Sequence, residues 1–204
     1  MRGPWIRLGF LLLVSPFVFL LQREAAAHDP PSVAKGAQRR EIRLPVEDFS
    51  LADQTGKNFR FQSLKGKIVV VSFIYTTCPD VCPLITANLR LVQERLTAGE
   101  RGGISFLSIT TDPEVDTPNV LKSYADRYRV DFSNWSFLTG EEKRLQRVWK
   151  IFSVKVERKA RGLVNHTTLT ALIDRKGMMR FAYAGAAPDP KAILEDLRRL
   201  LRSQ

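Results

Sequence analysis

The chain has 204 residues, 44% of them hydrophobic and 26% charged, a composition that suits one globular domain with a buried core plus some additional sequence. Its formal net charge of +11 fits either a soluble basic surface or attraction to an acidic partner or an anionic membrane. The basic residues are scattered, without a run or an aromatic-interleaved patch, and this argues against a nucleic-acid-binding protein.

The N-terminus resembles an export signal. Two arginines precede an uncharged, mostly apolar stretch at residues 8–21, and small residues follow it as in a cleavage site at Ala25 and Ala27. The stretch is shorter than the about twenty residues that span a bilayer, which favours a cleaved signal peptide over a retained membrane anchor and leaves both open. We therefore assign residues 1–27 to a signal peptide or N-terminal membrane anchor. The positive-inside rule then places the body outside the cytoplasm, either free in the periplasm or anchored to the bacterial cytoplasmic membrane and facing the periplasm.

Residues 28–41 contain adjacent prolines, small residues and charges without an apolar period, so they are predicted to form a flexible tether before a folded domain at 42–204. The first part of that domain, "DFSLADQTGKNFRF", predicts a hairpin that turns at Gly56. The run "KGKIVVVSFIY" is continuously apolar and rich in β-branched residues. It predicts a strand buried on both faces at the centre of a sheet.

The next stretch, "CPDVCP", holds Cys78 and Cys82, the two cysteines of the chain. An apolar stripe at helical spacing runs through residues 84–96. Pro83 has no N–H group, so we expect it at the first position of this helix, with Cys82 at the cap. Unpaired N–H groups and the helix dipole at that cap would lower the pKa of Cys82 and favour its thiolate.

The remaining sequence alternates strands and helices. "ISFLSIT" predicts a second buried strand, parallel to the first, and Thr117 with Pro118 predicts the start of another helix. After an amphipathic helix in "EEKRLQRVWKIF" come three strand-like pieces, "SVKVE", "TTLTALID" and "MRFAYA", the last two as an antiparallel hairpin, and a closing C-terminal helix. The predicted fold class is α/β: a thioredoxin-like fold with a central mixed sheet flanked by helices and an N-terminal hairpin.

The cysteine pair admits three readings: a structural disulfide, a redox couple or a pair of metal ligands. A disulfide that closes so short a loop would restrict the unfolded chain by only about 2 kcal/mol. The pair also lies between a central strand and the following helix, where open α/β sheets place their active sites. These points favour a functional pair over a structural disulfide, but a redox couple and a pair of metal ligands both remain possible interpretations.

His166 is the candidate third ligand. It precedes the strand "TTLTALI", which must pack beside the central strand in this topology. Two thiolates and one imidazole form a soft three-coordinate site that suits copper, while Cu(II) would be tolerated and zinc is an alternative.

The motif "FIYTTCPDVCP", followed by "ITTDPEVDTP" and later by "NHT", resembles the Sco/SenC family of copper-binding proteins that help to assemble the dinuclear copper centre of cytochrome c oxidase. The resemblance implies that Cys78, Cys82 and His166 bind copper as Cu(I) or Cu(II), and that Asp112 and Asp116 belong to a loop beside the site. For Asp116, a turn or helix-cap role before Pro118 is the favoured interpretation. The family usually has an aspartate immediately before the histidine, where this chain has Asn165.

Three functions follow as hypotheses. The first is a copper metallochaperone that would receive copper from a donor protein and deliver it to the copper-bearing subunit of cytochrome c oxidase or to another cuproprotein. The second is a thiol-disulfide oxidoreductase in which Cys78 and Cys82 form the redox pair that keeps the recipient's copper-ligand cysteines reduced. The third is a sensor or interaction module in which copper or the disulfide only signals.

Overall fold

A six-stranded mixed sheet forms the centre of the protein in the computed structural model, which describes residues 36–159 and 163–203. The predicted signal or anchor segment and most of the predicted tether lie outside these residues. The strands run in the spatial order β1-β10-β9-β4-β5-β6. The neighbours β4, β5 and β6 are parallel, and β9, β10 and β1 add antiparallel pairings on the other side.

Within the described residues, the strands are β1 (Gln38–Pro45), β2 (Ser50–Ala52), β3 (Asn58–Arg60), β4 (Ile68–Ile74), β5 (Ile104–Thr110), β6 (Trp135–Leu138), β7 (Val156–Arg158), β8 (Val164–His166), β9 (Leu169–Ile173) and β10 (Met178–Ala184). The helices are α1 (Val81–Arg95), α2 (Ala98–Gly102), α3 (Pro118–Arg127), α4 (Glu142–Ile151) and α5 (Pro190–Arg202). Two small sheets stand apart from the main one, β2 with β3 and β7 with β8.

Helices cover both faces of the sheet. One core joins the sheet to α1, α3 and α5 through side chains such as Leu89, Tyr124 and Leu197. The other joins it to α4 and the β2–β3 hairpin through Trp149 and Phe49. Strands β4, β5 and β9 are buried along their whole length because they lie between these two layers. The arrangement confirms the predicted α/β class with its central mixed sheet and N-terminal hairpin.

The domain begins earlier in the chain than the sequence indicates. Strand β1 starts at Gln38, inside the segment predicted as a tether, and pairs with β10 at the edge of the sheet. Almost all of its side chains are exposed, so no apolar alternation marks it as a strand. Its anchor is polar instead: Arg39 donates to both carboxylate oxygens of Asp196 on α5, at 2.6 and 2.7 Å.

The strand order brings three chain segments to one end of the sheet. Parallel β4 and β5 end at the same edge, so the loops that follow Ile74 and Thr110 are neighbours there. Strand β9 runs antiparallel to β4 and therefore begins at that edge with Leu169. The cysteine loop, the Asp112–Asp116 loop and His166 thus meet where sheets of this kind place their functional sites.

Candidate metal centre

Cys78 and Cys82 lie at the start of α1. Both are free thiols and both are buried, Cys78 with 9% of its surface exposed and Cys82 with none. Helix α1 begins at Val81 with Asp80 as its N-cap residue, so Cys82 occupies the second helical position and Pro83 the third. The expectation that Cys82 caps the helix is therefore wrong by two residues. Proline is accommodated in the first turn because the N–H groups there have no intrahelical partner.

The structure brings His166 to Cys82. The Cys82 Sγ and His166 Nε2 atoms are 3.8 Å apart, although 84 positions of sequence separate the two residues. Two ligands of one trigonal metal ion, with metal–sulfur and metal–nitrogen bonds of about 2.3 and 2.05 Å, would be separated by about 3.8 Å. The pair is therefore already spaced as two ligands of a single ion.

The protonation of His166 is defined by its backbone neighbour. Its Nδ1 atom lies 3.1 Å from the carbonyl oxygen of Thr167. A carbonyl can only accept, so Nδ1 carries the proton and Nε2 presents its lone pair toward Cys82. Burial lowers the pKa of His166, which keeps the ring neutral. A neutral imidazole with its second nitrogen held by an acceptor is the usual form of a histidine ligand.

The sequence predicts a lowered pKa at Cys82, but in the structure the lowered pKa belongs to Cys78. The pKa of Cys78 is lowered to about 5, above all because the Cys82 thiol donates a hydrogen bond to its sulfur, and then because the backbone N–H groups of Cys82 and Asp80 do so as well. The pKa of Cys82 is raised, first by that same hydrogen bond and then by burial. The free N–H groups at the helix start thus stabilise the thiolate of Cys78, and the expectation that the helix terminus would activate Cys82 is wrong.

Tyr75 belongs to the site although its sequence position gave no reason to select it. Burial, followed by the charge of the nearby Cys78, raises the pKa of the tyrosine to about 12. Its ring packs edge-on against His166 with the centroids 5.8 Å apart. Tyr75 therefore packs against the histidine half of the candidate site and lies near the cysteine half.

Asp116 does not cap α3, although its backbone N–H donates to the Asp112 carbonyl at 2.9 Å and so closes the turn before that helix. Thr117 caps α3, and Asp116 is completely buried. Its carboxylate accepts hydrogen bonds from the backbone N–H and hydroxyl of Thr76 and from the hydroxyl of Thr110, the last at 2.5 Å. Burial raises its pKa. Asp116 fixes the entry to the cysteine loop against the end of β5.

The three proposed ligands do not form a finished cage. Among residues 36–159 and 163–203, no group of three or more His, Cys, Asp or Glu side chains is arranged so that it could hold a metal ion. Cys82 approaches His166 to 3.8 Å, and its thiol is the largest influence on the lowered pKa of Cys78. The donor set nevertheless fits a soft metal, because it offers a thiolate, a second sulfur and a neutral imidazole.

Asn165 is exposed at the position before His166 and pairs with Glu157 across the β7–β8 hairpin. Its side chain therefore points away from the buried sulfurs, since neighbouring residues on a strand face opposite sides.

Comparison with known proteins identifies a family. The SCO1/SenC family model matches residues 37–202. A SCO1 protein homolog from Bacillus subtilis is 40% identical over 99 residues, which are 48% of this chain and 51% of that protein, so the match spans about half of the relative's length.

Solved structures agree with this assignment. A SCO1/SenC family lipoprotein from Bacillus anthracis superposes with a TM-score of 0.73 at 32% identity over 80% of this chain and 98% of that one. BsSco, described as a member of the Sco family of cytochrome c oxidase assembly proteins with a disulfide switch, gives 0.69 at 30% identity over 81% and 98%. Bradyrhizobium japonicum ScoI, solved with copper bound, gives 0.61 at 30% identity over 77% and 99%.

Proposed function

Because this chain belongs to the SCO1/SenC family, we propose that it is a copper metallochaperone that binds copper through Cys78, Cys82 and His166 and passes it to the dinuclear copper centre of cytochrome c oxidase during assembly. The observation that carries the proposal is the 3.8 Å approach of Cys82 Sγ to His166 Nε2 beside the Cys78 thiolate. Copper in a 30% identical family member and the oxidase-assembly role of BsSco support the cargo and the recipient.

The chemistry of the three side chains suits a carrier. Copper is cargo here, and thiolate sulfur with neutral imidazole are the donors that Cu(I) prefers. Cys78 supplies a thiolate at neutral pH, while the Cys82 thiol releases its proton to solvent when it becomes a ligand. A three-coordinate site leaves room for an incoming cysteine or histidine of the recipient. Copper can then move by stepwise ligand exchange.

We place this function outside the cytoplasmic membrane, with residues 1–27 as the signal or anchor and the basic domain in the periplasm. The lipoprotein nature of the Bacillus anthracis relative supports an export route. Within the described parts of the chain, no helix is long and apolar enough to cross a bilayer.

A copper titration tests the ligand assignment. Reduced protein is titrated anaerobically with Cu(I) against a competing chelator, and the parent is compared with Cys78→Ala, Cys82→Ala and His166→Ala. We expect each variant to bind copper more weakly, and the cysteine variants to lose most. His28→Ala, which removes the other histidine of the chain, is the matched control and should bind as the parent does. Parent-like affinity in all three ligand variants would refute the site.

The low pKa of Cys78 favours one second candidate, the thiol-disulfide oxidoreductase. In that reaction the Cys78 thiolate attacks a disulfide of the recipient and expels one thiolate, and Cys82 then attacks Cys78, loses its proton and releases the second thiolate. The recipient gains two electrons and the Cys78–Cys82 disulfide forms. His166 is not required, so His166→Ala would weaken copper binding and retain exchange. A parent that fails to exchange with an oxidase-derived disulfide peptide would rule this candidate out.

A further inference from the structure

Arg158, at the end of β7, bridges the hairpin that carries His166 and the loop that follows β5. Its Nη2 atom lies 2.5 Å from Asp112 Oδ1, and its Nη1 atom lies 3.1 Å from Glu114 Oε2. The two carboxylates differ greatly in environment, since the Asp112 side chain is fully buried and that of Glu114 is 65% exposed. One guanidinium therefore links two of the three acidic residues of the loop, Asp112 and Glu114, to a strand that is distant from them in sequence.

The β7–β8 hairpin needs such a link. Each of its strands has three residues, and it pairs with no strand of the six-stranded sheet. An isolated two-stranded hairpin is at best marginally stable in water. The cross-strand register pairs Val156 with His166 and Arg158 with Val164, so Arg158 fixes the hairpin two positions from the histidine. Apolar contact is provided by the buried Val164.

Hydrogen bonds connect Asp112, the partner of Arg158, to the cysteine half of the site. The Asp112 backbone N–H donates to the Thr110 hydroxyl at 2.8 Å, and that hydroxyl donates to Asp116. Asp116 in turn accepts from the Thr76 N–H at the entry to the cysteine loop. An unbroken series of hydrogen bonds thus connects Arg158 on the histidine side with Thr76 on the cysteine side.

The buried carboxylate of Asp112 favours a conformation in which Arg158 stays paired with it. Asp112 Oδ2 has no hydrogen-bond partner among the described residues. The ion pair between Asp112 Oδ1 and Arg158 is therefore the charged contact that stabilises the buried carboxylate. A buried carboxylate without its cation is strongly destabilised. If the hairpin moved away from the loop, the buried Asp112 carboxylate would lose its cation, and this opposes the movement.

We propose that Arg158 is a positioning residue of the metal site: its ion pairs with Asp112 and Glu114 hold the β7–β8 hairpin so that His166 reaches the sulfurs. This inference rests on the proposed function through the assignment of His166 as a ligand. Arg158 itself touches neither sulfur nor copper. It determines the fraction of the protein in which the His166 imidazole lies at the ligand position.

A double-mutant cycle on Cu(I) affinity tests the inference. Arg158→Gln should weaken Cu(I) binding about tenfold, the lower end of what loss of a residue that orients a ligand costs. In a His166→Ala background the same change should weaken binding by less than about twofold, because there is no imidazole left to position. Arg158→Lys, which keeps the charge and loses the fork, should fall between parent and Arg158→Gln.

The matched control is Arg180→Gln. Arg180 lies on β10, and its side chain is 39% exposed, against 40% for that of Arg158. It pairs with the mostly buried Asp174 at 3.1 Å. It should leave Cu(I) affinity at the parent value. Since Arg158→Gln strands a buried carboxylate, the neutral pair Arg158→Gln with Asp112→Asn is measured beside it and should show the same loss of affinity.

Amide hydrogen exchange of the metal-free protein gives a readout that does not involve copper. The amides of β8 should exchange at least about tenfold faster in Arg158→Gln than in the parent, and Arg180→Gln should not change them. The inference is overturned if Arg158→Gln binds Cu(I) as the parent does, or if its loss persists unchanged in the His166→Ala background. Parent-like affinity of His166→Ala alone would instead refute the proposed ligand set.

Discussion

Replacing Cys82 with alanine is expected to raise the pKa of Cys78, because the hydrogen bond donated by the Cys82 thiol is the largest single cause of its low value of about 5. The substitution leaves the other donors in place, namely the Asp80 and residue-82 backbone N–H groups and the Tyr75 hydroxyl. The pKa should therefore rise without reaching that of an ordinary thiol.

The size of the change follows from the bond that is lost. A hydrogen bond to a charged group contributes about 1.5–3 kcal/mol, which corresponds to a pKa change of about one to two units. The pKa of Cys78 in Cys82→Ala should thus lie at about 6–7. At pH 6 the parent would be about 90% thiolate, and the variant about half or less.

The assay is a pH titration of the ultraviolet thiolate absorbance in metal-free, fully reduced protein. The parent should give one transition near pH 5, and Cys82→Ala a transition displaced to higher pH. Cys78→Ala is the companion variant, and it should show no thiolate at neutral pH because burial continues to raise the pKa of Cys82. An unchanged transition in Cys82→Ala, or a parent that titrates as an ordinary thiol, would refute the assignment of the thiolate to Cys78.

Three further predictions concern stability, all measured by urea unfolding. Asp196→Ala removes a buried carboxylate that binds an arginine and a tyrosine; it should cost about 2–3 kcal/mol, below the about 3–5 of a fully buried pair because the arginine is partly exposed. Gly177→Ala should cost about 1 kcal/mol because Gly177 has a φ of +79°, whereas Gly99→Ala, at a glycine of α2 without a positive φ, should stabilise by about 0.4–1 kcal/mol. Arg198→Gln should destabilise at pH 7: the pKa of Glu100 falls from 4.5 to about 2 on folding, so this stabilisation is present above pH 4.5, and the difference from the parent should vanish toward pH 2.

Much of the fold could be predicted because its central elements carry strong local patterns. The unbroken, β-branched apolar run of β4 is typical of a central strand, and the buried stripe of α1 has the period of a packed helix. The predicted β5 has the observed bounds, Ile104–Thr110, and the predicted helix cap at Thr117 and hairpin turn at Gly56 are also present. In these segments local preference and tertiary packing agree.

The missed elements are those that tertiary contacts create. Strand β1 is charged and exposed, β6 has four residues and β8 has three, so none has a period long enough to detect. The order of strands could still place His166 near the cysteines, because β9 had to pair with β4. Their convergence was predictable while the hairpin that carries the histidine was not.

The finer chemistry of the site depends on contacts that no spacing encodes. Which cysteine holds the negative charge is decided by the direction of one hydrogen bond and by the aim of two backbone N–H groups. The roles of Asp116 and Arg158 depend on partners 40 and 46 positions away in sequence. Residue types and their order therefore predicted the candidate ligands, and only the folded chain could show what holds them.

The central claim is that copper binds to two sulfurs and one imidazole nitrogen. X-ray absorption of the anaerobically Cu(I)-loaded protein measures this directly. We expect one copper per chain in a three-coordinate site, with sulfur scattering from Cys78 and Cys82 and the multiple-scattering signature of an imidazole that disappears in His166→Ala. A spectrum without imidazole, or an imidazole signature that persists in His166→Ala, would contradict the account.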